Sequence, residues 1–87
     1  MAITYQVQFA VYGALFNGDE NDMRANDVTG VLQDQLNNSS SGVLNINNDT
    51  MGGDPCVGYT KAFGALVVVA DDPKWFACTE GQTIDFS

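Results

Sequence analysis

Residues 61–78 read Lys61-Ala62-Phe63-Gly64-Ala65-Leu66-Val67-Val68-Val69-Ala70-Asp71-Asp72-Pro73-Lys74-Trp75-Phe76-Ala77-Cys78. Ten residues from Lys61 to Ala70 form the most apolar run of the chain, rich in β-branched side chains and too short for a membrane span. They predict a central strand, and Asp71-Asp72-Pro73 predicts a turn into a second strand over 74–78, hence a hairpin. Upstream, Ile3, Tyr5, Val7, Phe9 and Val11 alternate with Thr4, Gln6, Gln8, Ala10 and Tyr12. This two-residue period predicts a half-buried strand over 3–14 with the first set on the covered face. Val28, Val31, Leu32, Gln35 and Leu36 follow Asp27 at helical spacing and predict a short helix or turn over 28–37, with Asp27 capping it. Residues 42–47 and 83–86 predict two more strands. Residues 16–26 predict an acidic loop, 37–42 a flexible turn and 47–59 a long irregular loop. Five strands and one short helix make residues 1–87 a single all-β domain, a small antiparallel β-sandwich.

Composition excludes several functions. The 87 residues carry 3 cations (Arg24, Lys61, Lys74), 11 acids and no histidine, for a net charge of −8. Nucleic acid and anionic membrane surfaces need clustered Lys and Arg, so neither is an expected partner. Without histidine there is no His-based acid–base or nucleophile pair and no ordinary zinc or copper site. Nine of the acids are Asp and eight residues are Asn, side chains that favour turns over helices. Residues 1–7 lack the basic and apolar regions of a signal peptide. This predicts a cytosolic chain, a mature form whose leader is gone, or export by another route. Three glycosylation patterns, at Asn37, Asn38 and Asn48, read as accidents of an Asn-rich chain.

Four groups of residues bear on chemistry. Cys56 and Cys78 are a candidate disulfide, worth about 3 kcal/mol by loop entropy; the other reading is two buried thiols. Asn17, Asp19 and Asn21, interleaved with Glu20 and Asp22, offer oxygens to calcium, but Asp22 and Val28 stand where an EF-hand loop needs Gly and Glu; the favoured reading is a solvated loop with no metal. The carboxylates lie in loops where water keeps them ionised, so catalysis is not expected and no catalytic residue or cofactor is assigned. Asn47, Asn48, Asp54, Tyr59 and Lys61, with Trp75 from the hairpin, combine amide, carboxylate, phenol, ammonium and a flat aromatic face. That mixture suits a neutral sugar. Alternatively Asn48 and Asp54 cap their own loop, Trp75 is core, and Lys61 pairs with Asp54 to stiffen the loop.

Tyr12-Gly13-Ala14, Asp27-Val28-Thr29 with Leu32 and Leu36, and Gly42-Val43-Leu44 recur in a familiar order. Gly53-Asp54-Pro55 with Gly58 and Lys61, then Glu80-Gly81-Gln82 before Ile84, complete it. Together, over residues 8–86, they resemble a family of small fungal and bacterial α-galactosyl-binding lectins, the Lyophyllum decastes lectin type. They are distantly similar to the C-terminal β-domain of a DnaJ-type mitochondrial protein. The resemblance implies a sugar-binding β-sandwich without catalysis or metal, acting on terminal galactose as a non-covalent homodimer. The DnaJ-type likeness implies instead a protein-contact module without sugar binding. It assigns no contact residues; the six candidates come from the side-chain chemistry alone.

Overall fold

A computed structural model describes residues 3–87. β4 (Ala62–Val69) alternates buried and partly buried side chains along its length, as its sequence requires. It pairs antiparallel with β5 (Asp72–Thr79) on one side and β1 (Tyr5–Leu15) on the other. β2 (Met23–Asp27) pairs with β1 and completes a four-stranded sheet in the order β2-β1-β4-β5. The second layer is α1 (Thr29–Asn37) and a two-stranded ribbon of β3 (Val43–Asn45) and β6 (Thr83–Asp85). The fold is therefore all-β and antiparallel with one short helix, its second layer thinner than a full sheet.

The core lies between the layers. Val7, Ala10, Tyr12, Phe63, Ala65, Val67 and Val69 come from the sheet, while Leu32, Leu36, Ile46, Met51 and Phe86 come from the cover. The faces of β1 differ from the alternation expected of Ile3 to Val11. Its register against β4 slips between Val7 and Phe9, so Gln8 is an extra residue and every later side chain changes face. Val7, Ala10 and Tyr12 point into the core, and Phe9 and Val11 are each 45% exposed on the open face.

The helix also covers bare backbone. β2 pairs only with residues 11–15 of β1, leaving the free edge of residues 5–10 without a strand neighbour. Gln33 Oε1 accepts from the Val7 N–H, Gln33 Nε2 donates to the Tyr5 carbonyl, and Thr29 Oγ1 accepts from the Ala10 N–H. Side chains thus satisfy an edge that would otherwise invite another strand. Asp27 Oδ1 accepts from the Thr29 N–H and hydroxyl, a turn that leads into the helix from one residue before its N-cap. The N-cap is Val28, which has no side-chain cap bond. The bonds to Asp27, the hydroxyl's first, hold its carboxyl below the usual range.

Two further expectations shift. The hairpin turns at Ala70-Asp71, both at positive φ, so Asp72 and Pro73 belong to β5, an edge strand where a missing N–H is tolerated. β2 lies inside the segment read as a loop. It has five residues, only Met23 and Ala25 of them apolar, and every one is exposed, so no buried hydrophobic period marks it. Its partner does: a Cβ at Gly13 would stand 2.3 Å from the Ala25 Cβ, a glycine imposed by close approach of the two strands.

Candidate functional site

Loop 46–61 has no strand or helix and is built from its own side chains. Asn47 and Thr50 exchange backbone-to-side-chain bonds, Asp54 Oδ1 accepts from the Cys56 N–H at 3.1 Å, and Met51 is buried beneath. Gly52, Gly53 and Gly58 hold positive φ, which side chains other than glycine rarely adopt.

Lys61 closes this loop. It is 2% exposed and is the buried charged residue among the described ones. Its ammonium lies 2.6 Å from Asp54 Oδ1 and 3.5 Å from Glu80 Oε1, and donates to the Cys56 carbonyl at 3.0 Å. Glu80 Oε1 also accepts from the Lys61 backbone N–H. Burial by itself would lower the Lys61 pKa, but the Asp54 hydrogen bond and the charges of Asp54 and Glu80 outweigh it and hold it above the ordinary value. The same hydrogen bond holds the Asp54 carboxyl below the usual carboxylate range. The alternative reading of Lys61, a stiffener paired with Asp54, describes its contacts.

These groups line an open polar cleft of about 500 Å³ with Asn48, Gly58, Tyr59, Thr60 and Gly81. Tyr12 underlies it: fully buried, its hydroxyl donates to Asn48 Oδ1 at 2.7 Å. With Oδ1 so engaged, the Asn48 amide nitrogen keeps two hydrogens to donate elsewhere. Burial, then the Glu80 charge, raises the Tyr12 pKa, so the phenol stays neutral and a donor. The Tyr59 ring packs edge-on against Phe16 at 5.3 Å and its hydroxyl donates to Asn17 Oδ1.

Four of the six sequence candidates, Asn48, Asp54, Tyr59 and Lys61, therefore meet in one cleft. Asn47 does not; its amide is spent on Thr50 and Asn45. Trp75 does not either. It is 72% exposed on the open face of the sheet, edge-on to Phe9 at 5.6 Å. Glu80 was read only as part of a turn. Glu80 is one of two Glu in an Asp-rich chain, and its Oε1 reaches back to the Lys61 N–H and ammonium.

The expected Cys56–Cys78 disulfide is absent, and both thiols are free. Cys78 stands opposite Phe63 in the β4–β5 ladder, where burial raises its pKa, whereas Cys56 is fixed in the loop by Asp54 and Lys61. The loop closure assigned to a covalent bond is made by the Lys61 ion cluster. In the acidic loop Asp19 Oδ1 accepts from the Asn21 N–H and Asp22 pairs with Arg24 at 3.2 Å, while Arg24 lies over the Phe16 ring at 3.7 Å. Among the described residues no three Asp, Glu, Cys or His gather as a metal site, and no helix is long and apolar enough to cross a membrane. No family model, curated protein or solved structure matches this chain.

Proposed function

We propose that this protein is a non-enzymatic lectin that binds terminal galactosides of the α type in the Lys61 cleft, and that it is multivalent through pairing of two copies. One observation carries the reading: a buried ammonium fixes the carboxylates of Asp54 and Glu80 in the wall of an open polar cleft. Carboxylates held in this way are oriented acceptors for adjacent sugar hydroxyls, and Asn48 supplies donors for the ring and hydroxyl oxygens. Tyr59, not Trp75, is the aromatic that lines the cleft. A neutral ligand fits because the cation is already neutralised by two carboxylates. Binding without hydrolysis fits as well. Glycoside cleavage needs a protonated carboxyl beside the scissile bond, and Lys61 faces both acids and keeps Asp54 ionised.

Titration with methyl α-galactoside is expected to give a dissociation constant on the order of 1 mM per site, typical of a shallow single-sugar site. Asp54→Asn is expected to weaken it at least about tenfold, the loss of one charge-assisted bond. Circular dichroism checks that the variant stays folded. A folded, dimeric wild type that binds no terminal galactoside on a glycan array contradicts the proposal.

Pairing is supported by the patch at the other end of the open face. Phe9, Leu66 and Trp75 stand side by side in register across β1, β4 and β5. None is charged, in a chain of net charge −8, so like copies approach there with least repulsion. Light scattering is expected to show a dimer for the wild type and a monomer for Trp75→Gln, with single-site affinity retained and avidity lost. The same patch supports the second reading, a protein-contact module without sugar binding. Under that reading a partner pulled from native extract stays bound in excess galactose.

A further inference from the structure

We infer that the cleft continues into an apolar groove, so that its ligand is a neutral glycoside bearing an apolar group; this rests on the galactoside reading of the cleft. The groove is a cavity of about 770 Å³ on the open face of the sheet, and it shares Tyr59 and Thr60 with the polar cleft. A sugar in the cleft therefore has the groove next to it, across one aromatic side chain held in place by Phe16 and Asn17.

The register explains the groove's shape. Ala25, Gly13 and Ala62 are cross-strand neighbours on β2, β1 and β4 and form a low floor. Leu15 and Met23, also paired, rise on one side and Val11 on the other, with exposures of 43%, 63% and 45%. No charged side chain lines it, although the chain carries 14 of them. A volume within the range of small-molecule pockets, with uncharged walls and one polar neighbour, suits an alkyl or aryl group attached to a sugar. It does not suit a second sugar, whose hydroxyls would find few partners there.

Gly64 provides the test. Its backbone is extended, and a Cβ built on it meets only Val11 Cγ1, at 3.9 Å. Gly64→Val thus puts a branched side chain into the groove beside Val11, with no backbone atom within 4 Å of its Cβ. Calorimetric titrations would use methyl α-galactoside, octyl α-galactoside below its micelle concentration, and octyl α-glucoside. The octyl galactoside is expected to bind wild type about tenfold or more tightly than the methyl one, from burial of the chain, with a more negative heat-capacity change. In Gly64→Val that ratio is expected to fall by several-fold, because the side chain takes part of the space the alkyl group would occupy. Equal affinity for methyl and octyl galactosides in wild type overturns the inference and leaves the galactoside reading standing. A ratio that survives Gly64→Val, or octyl glucoside binding as tightly as octyl galactoside, overturns it too. Failure of both galactosides to bind overturns the galactoside reading and this inference together.

Discussion

Lys61→Met is expected to lower the melting temperature by on the order of 10 °C or more and to abolish galactoside binding. The substitution keeps the length and apolar stem of the side chain, so packing is nearly conserved and the charge is what is lost. Three groups lose their partner at once: the carboxylates of Asp54 and Glu80 and the carbonyl of Cys56. Only the ammonium is buried: the side chains of Asp54 and Glu80 are 28% and 26% exposed, so water offsets part of the loss. What remains is the repulsion of two facing carboxylates and an unpaired carbonyl. In a domain of this size each ~1 kcal/mol lost lowers the melting point by about 4–8 °C. The sign of the effect has its own check. Adding Asp54→Asn and Glu80→Gln to Lys61→Met is expected to recover part of the lost stability, since the orphaned charges are gone. A triple variant less stable than the single one would show that the cluster is not what strains the protein. Calorimetric melts of the three proteins decide it.

The same cluster sets the pH response. Asp54 is held below the usual carboxylate range, so its contribution is present at neutral pH and is lost as pH falls through its depressed value. Lys61 is held above its ordinary value, so its contribution persists through neutral pH and is lost only as pH rises through that raised value. Loop 46–61 is therefore expected to loosen in acid well before the core melts. Hydrogen exchange at Cys56 and Tyr59, whose N–H groups are bonded within the loop, measures this.

Phe86→Ala is expected to cost about 3–5 kcal/mol, a large share of the stability of a domain this small. Phe86 is fully buried, 4.5 Å from the Phe76 ring and 6.5 Å from the Phe63 ring. It anchors one end of the β3–β6 ribbon in the core, as Ile46 does the other. Each ribbon strand has only three residues, too few to be stable without that anchor. The Phe86 N–H donates to the Gly42 carbonyl at 2.8 Å, so displacing the ring also loosens the start of β3. Urea unfolding followed by tryptophan fluorescence and far-UV circular dichroism gives the free energy. Hydrogen exchange should show β3 and β6 released first. A cost below about 1 kcal/mol would mean that Leu44 and Ile84 hold the ribbon by themselves.

The parts legible in the sequence were those with a period or a local turn. β4, its hairpin with β5, and the helix after Asp27 each carry their pattern within a dozen residues. The bulge at Gln8 was hidden because Ile3 to Val11 alternate without a break; only pairing with β4 shows where the face changes. β2 was hidden because an edge strand with no buried side chain has no hydrophobic signal. Of the site candidates, Asn48, Asp54, Tyr59 and Lys61 line one cleft because one loop carries them all. Proximity in sequence could not exclude Trp75, whose face depends on strand register, or supply Glu80, which follows β5 and meets Lys61 only through the β4–β5 pairing. Cys56 and Cys78 looked like a staple because a small domain needs one. The Lys61 cluster fills that role, and it is an interaction between residues 19 apart or more at its Glu80 arm.

The central claim is that the Lys61 cleft binds a galactoside, and mapping backbone amide shifts of isotope-labelled protein during titration with methyl α-galactoside tests it most directly. Saturable shifts confined to Asn48, Asp54, Gly58, Tyr59, Thr60, Lys61, Glu80 and Gly81 are the predicted result. No shifts up to high millimolar sugar, or shifts centred on Phe9 and Trp75, would contradict it.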